Sequence, residues 1–207
     1  MQIDCSSSPK SQCNTEKLLP AHVPEAVSIH LEAFPGFFLS ALGPAFLREF
    51  YQSFLADPLG MGFVAVDENK RLLGSVVGPL DPRGYFGRLV RRRWWAFALA
   101  GAQAALRNPA FVAPLVRALS YRGEPPAGKP RALLSSIAVS PRAQGRGVGG
   151  ALVRAWVAEA RKRGADGCFL TTDALDNDTV NRFYQRLGWK LESAYSTPRG
   201  RQMNRYV

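Results

Sequence analysis

The 207-residue chain has little cysteine and almost no histidine, and both shortages narrow the chemistry open to it. Its three cysteines, Cys5, Cys13 and Cys168, have neither metal-site spacing nor the even number of a disulfide framework. Two histidines are too few for a histidine-based metal centre, so we expect no metal cofactor. Long apolar runs are also missing, since the longest, residues 94–106, is shorter than the ~20 residues that span a bilayer.

Acidic residues are scarce beside basic ones, 16 against 27, which leaves a net charge of +11. Such an excess favours anionic partners: nucleic acid, an anionic membrane surface or a phosphorylated small molecule. No nucleic-acid-binding motif accompanies the charge, so we do not expect a nucleic-acid partner. The N-terminal residues lack the apolar core of a signal peptide, which favours a cytoplasmic protein.

Apolar periodicity and turn residues predict a single domain of mixed α/β class. The first strand is predicted at Leu18–Pro20, and two helices at 24–34 and 44–55. Later segments predict, in order, a β-hairpin within 62–77, a strand over Arg131–Val139, a helix to Arg163, a strand at 168–172, a helix that Gly188 ends, and a closing hairpin from 189 to 207.

Four glycines fall within six residues just where the helix after Val139 begins: Gly145, Gly147, Gly149 and Gly150. Glycine is about 1 kcal/mol worse than alanine inside a helix, so the cluster indicates close backbone approach or unusual backbone angles. A P-loop is excluded because alanine and leucine follow the last glycine, where that motif needs lysine and a hydroxyl.

A dinucleotide-binding fingerprint, G-x-G-x-x-G, is matched literally, with Asp173 at the end of the next strand. Two features disfavour it. Five residues separate Val139 from the first glycine, and only 34 residues follow Asp173, too few for the further βα units that the fold needs.

The whole phrase, a strand followed by S-P-x-x-Q-G-R-G-V-G and a helix, resembles the GNAT superfamily of acyl-CoA-dependent N-acyltransferases. Gln144, Gly147 and Gly149 match that family's Q/R-x-x-G-x-G/A signature. A second match, NDTVNRFYQRLGW at 177–189, follows the family's N-x-x-A-x-x-F-Y-x-x-x-G-F pattern, with valine for its alanine and tryptophan for its last phenylalanine. The resemblance covers about 16–80 and 130–207.

This resemblance implies a central, mixed and mostly antiparallel twisted sheet flanked by helices, and acetyl-CoA as the co-substrate. A helix N-terminus carries unpaired N–H groups and a partial positive charge, so glycines there suit a diphosphate. The expected coenzyme-binding residues are Ile137, Ala138, Val139, Arg142, Gln144, Gly145, Arg146, Gly147, Val148, Gly149, Gly150, Asn177 and Tyr184.

Several of these residues have a specific expected role. By resemblance, the backbone around Ile137 and Val139 pairs with the pantetheine arm and polarises the thioester carbonyl. Asn177 is expected to cap a helix and to contact the coenzyme arm. Tyr184 matches the family's proton donor to the leaving thiolate, with a core aromatic as the alternative.

No general base is evident, because the strand 132–139 holds nothing ionisable beyond two serine hydroxyls. The candidates are Asp173 at a strand end, and His30 and Glu32 in the first helix; water is an alternative. Asp173 also fits a turn cap and Glu32 a solvated face. His30 lies on an apolar stripe, where a core histidine is the favoured interpretation.

About 50 residues separate the third and fourth strands, where the family commonly has a short turn. This insert, at about 81–129, belongs to a predicted GNAT-like domain of residues 16–207, which follows a flexible tail, 1–15. Three roles stay open for the insert: a cover over the sheet, a wall of the acceptor pocket, or a membrane-surface contact through 88–107.

The expected activity is transfer of an acetyl group from acetyl-CoA to a primary amine of a small acceptor. Net charge, the insert's arginines and the aromatics of the turn at 34–38 favour an anionic amino sugar. Alternatively, these aromatic residues belong to the core and these arginines form a solvated face above them. The alternative function is a non-catalytic acyl-CoA-binding or membrane-peripheral module of the same fold.

Overall fold

The computed structural model describes residues 13–85, 87, 88, 91, 94, 131–197 and 200–207. Over these residues the strands and helices follow the predicted order, except that there is one further short helix, α2, and that two strands, β4 and β5, stand where one was predicted. In chain order they are β1 (Asn14–Lys17), α1 (Val23–Ala33), α2 (Phe38–Ala41), α3 (Gly43–Ala56), β2 (Gly60–Val66), β3 (Leu72–Pro79), β4 (Arg131–Leu133), β5 (Ser136–Val139), α4 (Val148–Lys162), β6 (Gly167–Asp173), α5 (Asp178–Arg186), β7 (Leu191–Ser196) and β8 (Gln202–Tyr206).

The strands form two four-stranded sheets, and the predicted mixed, mostly antiparallel arrangement is confirmed. The first has the order β1-β2-β3-β5 and is antiparallel throughout. The second has the order β4-β6-β8-β7, with β4 parallel to β6 and the other pairs antiparallel.

The single strand predicted over 131–139 is wrong, because this segment changes sheets halfway. The Leu134 N–H donates to the Phe169 carbonyl at 3.0 Å, on the side of the second sheet. The next N–H, of Ser135, donates to the Val77 carbonyl at 3.0 Å, on the side of the first sheet. Two successive N–H groups therefore bond to different sheets, and the segment divides into β4 and β5 at this point.

The first strand lies earlier than predicted. β1 ends at Lys17, and Pro20 opens a 3-10 turn instead of closing a strand. The prediction rested on apolar residues, whereas β1 is an edge strand whose residues are largely exposed, so its sequence carries no apolar signal. Asn14 and Thr15, which the analysis of the sequence assigned to the tail, pair with β2 in this strand.

Two apolar clusters lie on opposite faces of the first sheet. Val27 of α1 and Leu47 and Tyr51 of α3 belong to one cluster. Leu152 and Trp156 of α4 belong to the other, as the predicted inward face of that helix required. β3 and β5 are therefore covered by apolar residues on both faces, and this packing fixes the position of β5 just after the chain passes from one sheet to the other.

The insert is described only in its first part. Tyr85 is fully buried and its ring stacks on Phe54 of α3, with ring centroids 5.5 Å apart. Arg88 is ion-paired with Asp57 at 3.6 Å, so the insert begins against the end of α3. Residues 95–130, which carry most of the predicted insert, lie outside the described residues. Within the described part of the chain, no helix has the length and apolar character that a membrane crossing needs.

Candidate active site

The pairing between the segment 131–139 and β6 stops partway, which leaves an opening between the edges of β5 and β6. The two segments are joined by parallel pairing only as far as Leu133 and Phe169, through β4. Beyond that point β5 pairs with β3, and residues 170–173 of β6 pair with β8. The backbone edges that β5 and β6 turn toward each other are thereby left open to an extended ligand.

The register of β5 decides which backbone groups face this opening. The Ser140 N–H donates to the Leu73 carbonyl at 2.9 Å, and hydrogen-bonded pairs alternate along an antiparallel ladder. Ala138 therefore directs its backbone groups at β3, while Ile137 and Val139 direct theirs into the opening. Of the three expected contacts on this strand, the first and third are suitably aimed, and Ala138 is turned away.

The glycine loop combines left-handed backbone with open space. Gly145 has φ 75° and Gly147 φ 82°, and a Cβ at either position would meet no atom within 4 Å. Gly147 is the N-cap of α4, and the first bond of that helix runs from the Ala151 N–H to the Gly147 carbonyl at 3.0 Å. The N–H groups at 148–150 consequently have no acceptor within the helix, and such a terminus fits an anionic phosphate.

The other two glycines lie against neighbouring side chains. A Cβ on Gly149 would lie 3.2 Å from the Phe183 ring, tighter than most real contacts, so this glycine allows α4 to pack closely on α5. A Cβ on Gly150 would lie 3.1 Å from the movable guanidinium of Arg154 and at an ordinary contact distance, 3.5 Å, from Leu187, so packing alone does not require a glycine there.

The residues around the glycines differ in their surroundings. The Gln144 amide donates to the Val139 carbonyl at 3.3 Å, which ties the loop back to β5 and gives the signature glutamine a structural function. Arg142 and Arg146 are exposed beside the glycines. Val148, the first residue of α4, is buried, so its contribution to a ligand is its backbone N–H.

Tyr184 lies on the buried face of α5. It is 5% exposed and packs against Phe183, Trp189 and Tyr206, with ring centroids 5.0, 6.0 and 6.1 Å away. Burial raises the pKa of its phenol well above the ordinary value, so the hydroxyl stays protonated. It belongs to the cluster on which Ile137 and Val139 also pack.

Asn177 and Asp173 join the end of β6 to the start of α5. The Asn177 amide donates to Thr172 Oγ1 at 2.8 Å and to the Asp173 carbonyl at 3.2 Å. Asn177 thus occupies the predicted N-cap position, but its side chain makes no capping bond to α5. The Asp173 carboxylate does not cap the turn either, because both its oxygens bind the guanidinium of Arg201, one of them at 2.5 Å.

Arg201 and Asn181 are the residues of this region that the sequence did not single out. Arg201 comes from the segment before β8, 28 residues beyond its partner Asp173. Asn181 is 8% exposed, and its amide donates to the Asp173 carbonyl at 2.9 Å while its oxygen accepts from the Tyr206 hydroxyl at 2.9 Å. A polar residue at an inward helix position was the available signal. The apolar residues at i, i+3, i+4 and i+7 that predict this helix begin at Val180, which is exposed, so they did not mark Asn181 as inward.

The two candidate bases of α1 lie in opposite environments. His30 is 3% exposed, and its Nδ1 is 3.1 Å from the Tyr51 hydroxyl, as a core histidine would be. Burial lowers the pKa of its imidazole to about 4. Glu32 is on the exposed face of the helix.

Comparisons with known proteins give consistent findings. The family model described as acetyltransferase (GNAT) family matches residues 24–189. No curated protein matches the chain. Among solved structures, the fold is similar to that of SsHAT, with 21% identity over 94% of this chain and 97% of that one and a TM-score of 0.66.

Two further structures have the same fold at lower identity. One is aminoglycoside N-acetyltransferase AAC(6')-Iy in complex with CoA, with 13% identity over 90% of this chain and 93% of that one and a TM-score of 0.61. The other is the ribosomal-protein-S18-alanine N-acetyltransferase from Escherichia coli, with 16% identity, 94% and 92% coverage and a TM-score of 0.52.

Proposed function

This chain belongs to the acetyltransferase (GNAT) family, as its two motifs predicted, and we propose that it transfers the acetyl group of acetyl-CoA to the primary amine of a small acceptor. One observation carries the proposal. Ile137 and Val139 have backbone groups on the edge of β5 that no described strand pairs, the Val139 carbonyl being bonded to Gln144, and the glycine loop joins this edge to the N–H groups at the start of α4 that have no acceptor within the helix. The edge of β5 can bond to an amide-containing arm, and the N-terminus of α4 can bind a diphosphate, so the two together suit a ligand that has both groups.

The glycine loop is the proposed diphosphate site. Gly145 and Gly147 keep side chains away from the N–H groups at 148–150, and the helix dipole adds a partial positive charge. Arg142 and Arg146 add full charges at the rim. Asn177 is proposed as a polar contact to the coenzyme arm, since it is only half-buried at the end of β6.

Once the coenzyme arm lies on β5, the chain has three chemical tasks: to stabilise the charge on the carbonyl oxygen, to protonate the leaving thiolate, and to accept a proton from the amine. Acetyl-CoA supplies an acetyl group activated as a thioester. The N–H groups of β5 that face the opening stabilise the negative charge that develops on the carbonyl oxygen when the amine attacks. Tyr184 then donates its phenolic proton to the departing thiolate, and the product amide remains. Burial raises the pKa of Tyr184, so the phenol still carries its proton when the thiolate forms.

The incoming amine must lose a proton, and we propose that it leaves through water. Asp173 stands at the end of β6 and is the proposed acceptor of that proton, although accepting it would break the ion pair with Arg201. His30 and Glu32 are weaker proposals for the same role. The first is buried with a lowered pKa, and the second points into solvent.

We propose an anionic amino sugar as the acceptor. The net charge of +11 repels lysine-rich peptides, and the turn after α1 carries Phe37, which is 50% exposed and available to stack on a sugar. Arg91 is exposed on the insert, whereas Arg88 is already paired with Asp57. One structure of this fold is named for aminoglycosides and another for a ribosomal-protein alanine, so the fold alone does not select the acceptor.

The alternative is a non-catalytic acyl-CoA-binding or membrane-peripheral module. It is favoured by one observation on the candidate bases among the described residues. Asp173 is ion-paired, His30 is buried and Glu32 is exposed to solvent. A protonated Tyr184 beside the opening favours the enzyme. A cytoplasmic location is proposed for either function.

The test is a panel of amines with acetyl-CoA, followed by release of free thiol. Phosphorylated amino sugars, neutral amino sugars and lysine-rich peptides are compared at low and moderate salt. We expect turnover, with the anionic sugars preferred most strongly at low salt, and reversal of charge at Arg91 to Arg93 should reduce that preference. Stabilisation by CoA without transfer to any amine would favour the non-catalytic module, and preference for peptides would contradict the proposed acceptor.

A further inference from the structure

A chain of buried polar side chains crosses the core beneath β5. Nδ1 of His30 on α1 is hydrogen-bonded to the Tyr51 hydroxyl at 3.1 Å, and that hydroxyl is hydrogen-bonded to Ser75 Oγ at 3.2 Å. The exposed fractions of the three residues are 3%, 1% and 1%. Burying such groups is costly unless they bond to one another, so each link holds the next in a defined position.

The chain of hydrogen bonds reaches the strand that lines the opening. In the sheet register Ser75 of β3 lies opposite Ala138 of β5, and Ser136, the first residue of β5, lies opposite Val77. The Ser75 and Ser136 side chains both lower the pKa of Tyr51, so both lie close to its hydroxyl, and one phenol contacts two neighbouring strands. Burial outweighs them and raises this pKa to about 12, so the hydroxyl keeps its proton at neutral pH.

The other end of the chain of hydrogen bonds lies under the aromatic turn that follows α1. The His30 ring packs on Phe34 with centroids 5.1 Å apart, and Phe34 packs on Phe37 at 5.3 Å. Tyr51 is therefore shared between the strand that faces the opening and the helix that leads into this turn.

We propose that Tyr51 is a positioning residue for acyl transfer, holding β5 and the turn after α1 in one relative arrangement through its hydrogen bonds to His30 and to Ser75, which lies opposite Ala138 of β5. The inference rests on the proposed function, because it concerns where the acyl carbonyl and the amine meet. Reaction rates depend steeply on such alignment, and a shift of about 1 Å can cost 100-fold. Binding of the coenzyme's diphosphate, made by the α4 terminus, does not depend on it.

The experiment removes single hydrogen-bonding atoms and separates rate from affinity. We expect Tyr51→Phe to lower kcat by about 10- to 100-fold, with KM for acetyl-CoA changed by less than about threefold. His30→Asn, whose amide ends near the position of Nδ1, should keep more of kcat than His30→Gln, whose amide ends near Nε2. Amide hydrogen exchange at Ser136 and Ala138 should be faster in Tyr51→Phe.

Ser53→Ala is the matched control. Ser53 is 1% exposed on the same helix as Tyr51, but its hydroxyl donates to the Phe50 carbonyl at 2.5 Å, away from β5. This variant should lose stability while keeping kcat and the exchange rates of β5. Equal kcat in Tyr51→Phe and the unaltered protein, or an equal fall in Ser53→Ala, would overturn the inference. An unaltered protein without any transfer would contradict the proposed function alone, and unchanged exchange in Tyr51→Phe would then still overturn this inference.

Discussion

The two sides of the opening are built in different ways. The proposed coenzyme side, 137–150, is one continuous stretch that offers mainly backbone groups: strand edges, left-handed glycines and a helix terminus. The proposed acceptor side offers side chains from distant parts of the chain, among them His30 bonded to Tyr51 and Asp173 bonded to Arg201. The first side depends on space and backbone angles, and the second on keeping partners that other segments supply.

This difference has a consequence for mutation. On the coenzyme side a substitution acts by filling space or straining φ, because the binding groups are present in every residue type except proline. On the acceptor side, removal of one atom from the buried group of His30, Tyr51 and Ser75 leaves a buried partner without its bond, which costs about 1–3 kcal/mol. Each prediction below tests one of the two sides, and its control makes the same kind of substitution at another position.

The largest effect is expected from one hydroxyl. Tyr184→Phe keeps the ring that packs on Phe183, Trp189 and Tyr206, so the fold and CoA binding should persist. Turnover should fall by about 10²- to 10⁴-fold, the usual contribution of a general acid, measured as kcat under conditions where chemistry is rate-limiting.

Tyr206→Phe is the control for that prediction. It removes another buried phenol of the same cluster, one whose hydroxyl donates to Asn181 Oδ1 at 2.9 Å. We expect it to lower the free energy of unfolding with little effect on kcat. Unchanged turnover in Tyr184→Phe would return this tyrosine to a packing role.

The coenzyme side is tested at Gly147. Binding of CoA to the native state alone raises the free energy of unfolding by about 2.7 kcal/mol at 100-fold excess over Kd. Gly147→Glu should abolish that gain, since it places a carboxylate at the anion site on a residue with φ 82°. Thermal unfolding with and without CoA measures it.

Gly164→Glu imposes the same strain at the far end of α4, where φ is 87° and no atom lies within 4 Å of a Cβ. Its own stability should fall, but CoA should still raise it by the full amount. Equal stabilisation of both variants by CoA would show that the anion binds elsewhere.

The smallest effect concerns the acceptor side and pH. Burial lowers the pKa of His30 from 6.5 to about 4, so the unfolded chain takes up a proton at a higher pH than the folded one. Stability should therefore fall by about 1.4 kcal/mol per pH unit as pH drops from 6.5 toward 4, with no contribution above 6.5. Urea unfolding at pH 7, 6 and 5 measures the slope.

His30→Asn should remove this part of the slope, because asparagine does not titrate. His22→Asn, which removes the other histidine, should retain it. A steep slope in His30→Asn equal to that of the unaltered protein would mean that other groups cause the loss of stability at low pH.

Much of the fold could be predicted from local patterns, and the exceptions have clear physical causes. Helices α1, α3 and α4 appeared as apolar stripes with proline near the start or glycine after the end, since these signals are local. β1 was misplaced because an exposed edge strand leaves no apolar pattern. The division of 131–139 was missed because it depends on which neighbour each N–H meets, and no residue there marks the change.

The candidate site divides in the same way. Gln144, the glycines and Tyr184 were identified in two short motifs, whose order and spacing are a property of the sequence. The separate structural roles of the glycines were not visible there: Gly145 and Gly147 adopt left-handed angles, and Gly149 allows close packing on Phe183 of α5.

By itself, the sequence determined the family, the mixed α/β class and the positions of the two coenzyme motifs, because each depends on residues within about a dozen positions of one another. Only the tertiary structure decided that Asp173 pairs with Arg201, that His30 lies neutral in the core, and that Tyr51 joins it to β5. These pairs are 21 to 28 residues apart, and their meeting depends on how sheets and helices pack. A side chain's partner is set by that packing, whereas backbone chemistry is the same wherever a strand edge or helix terminus forms.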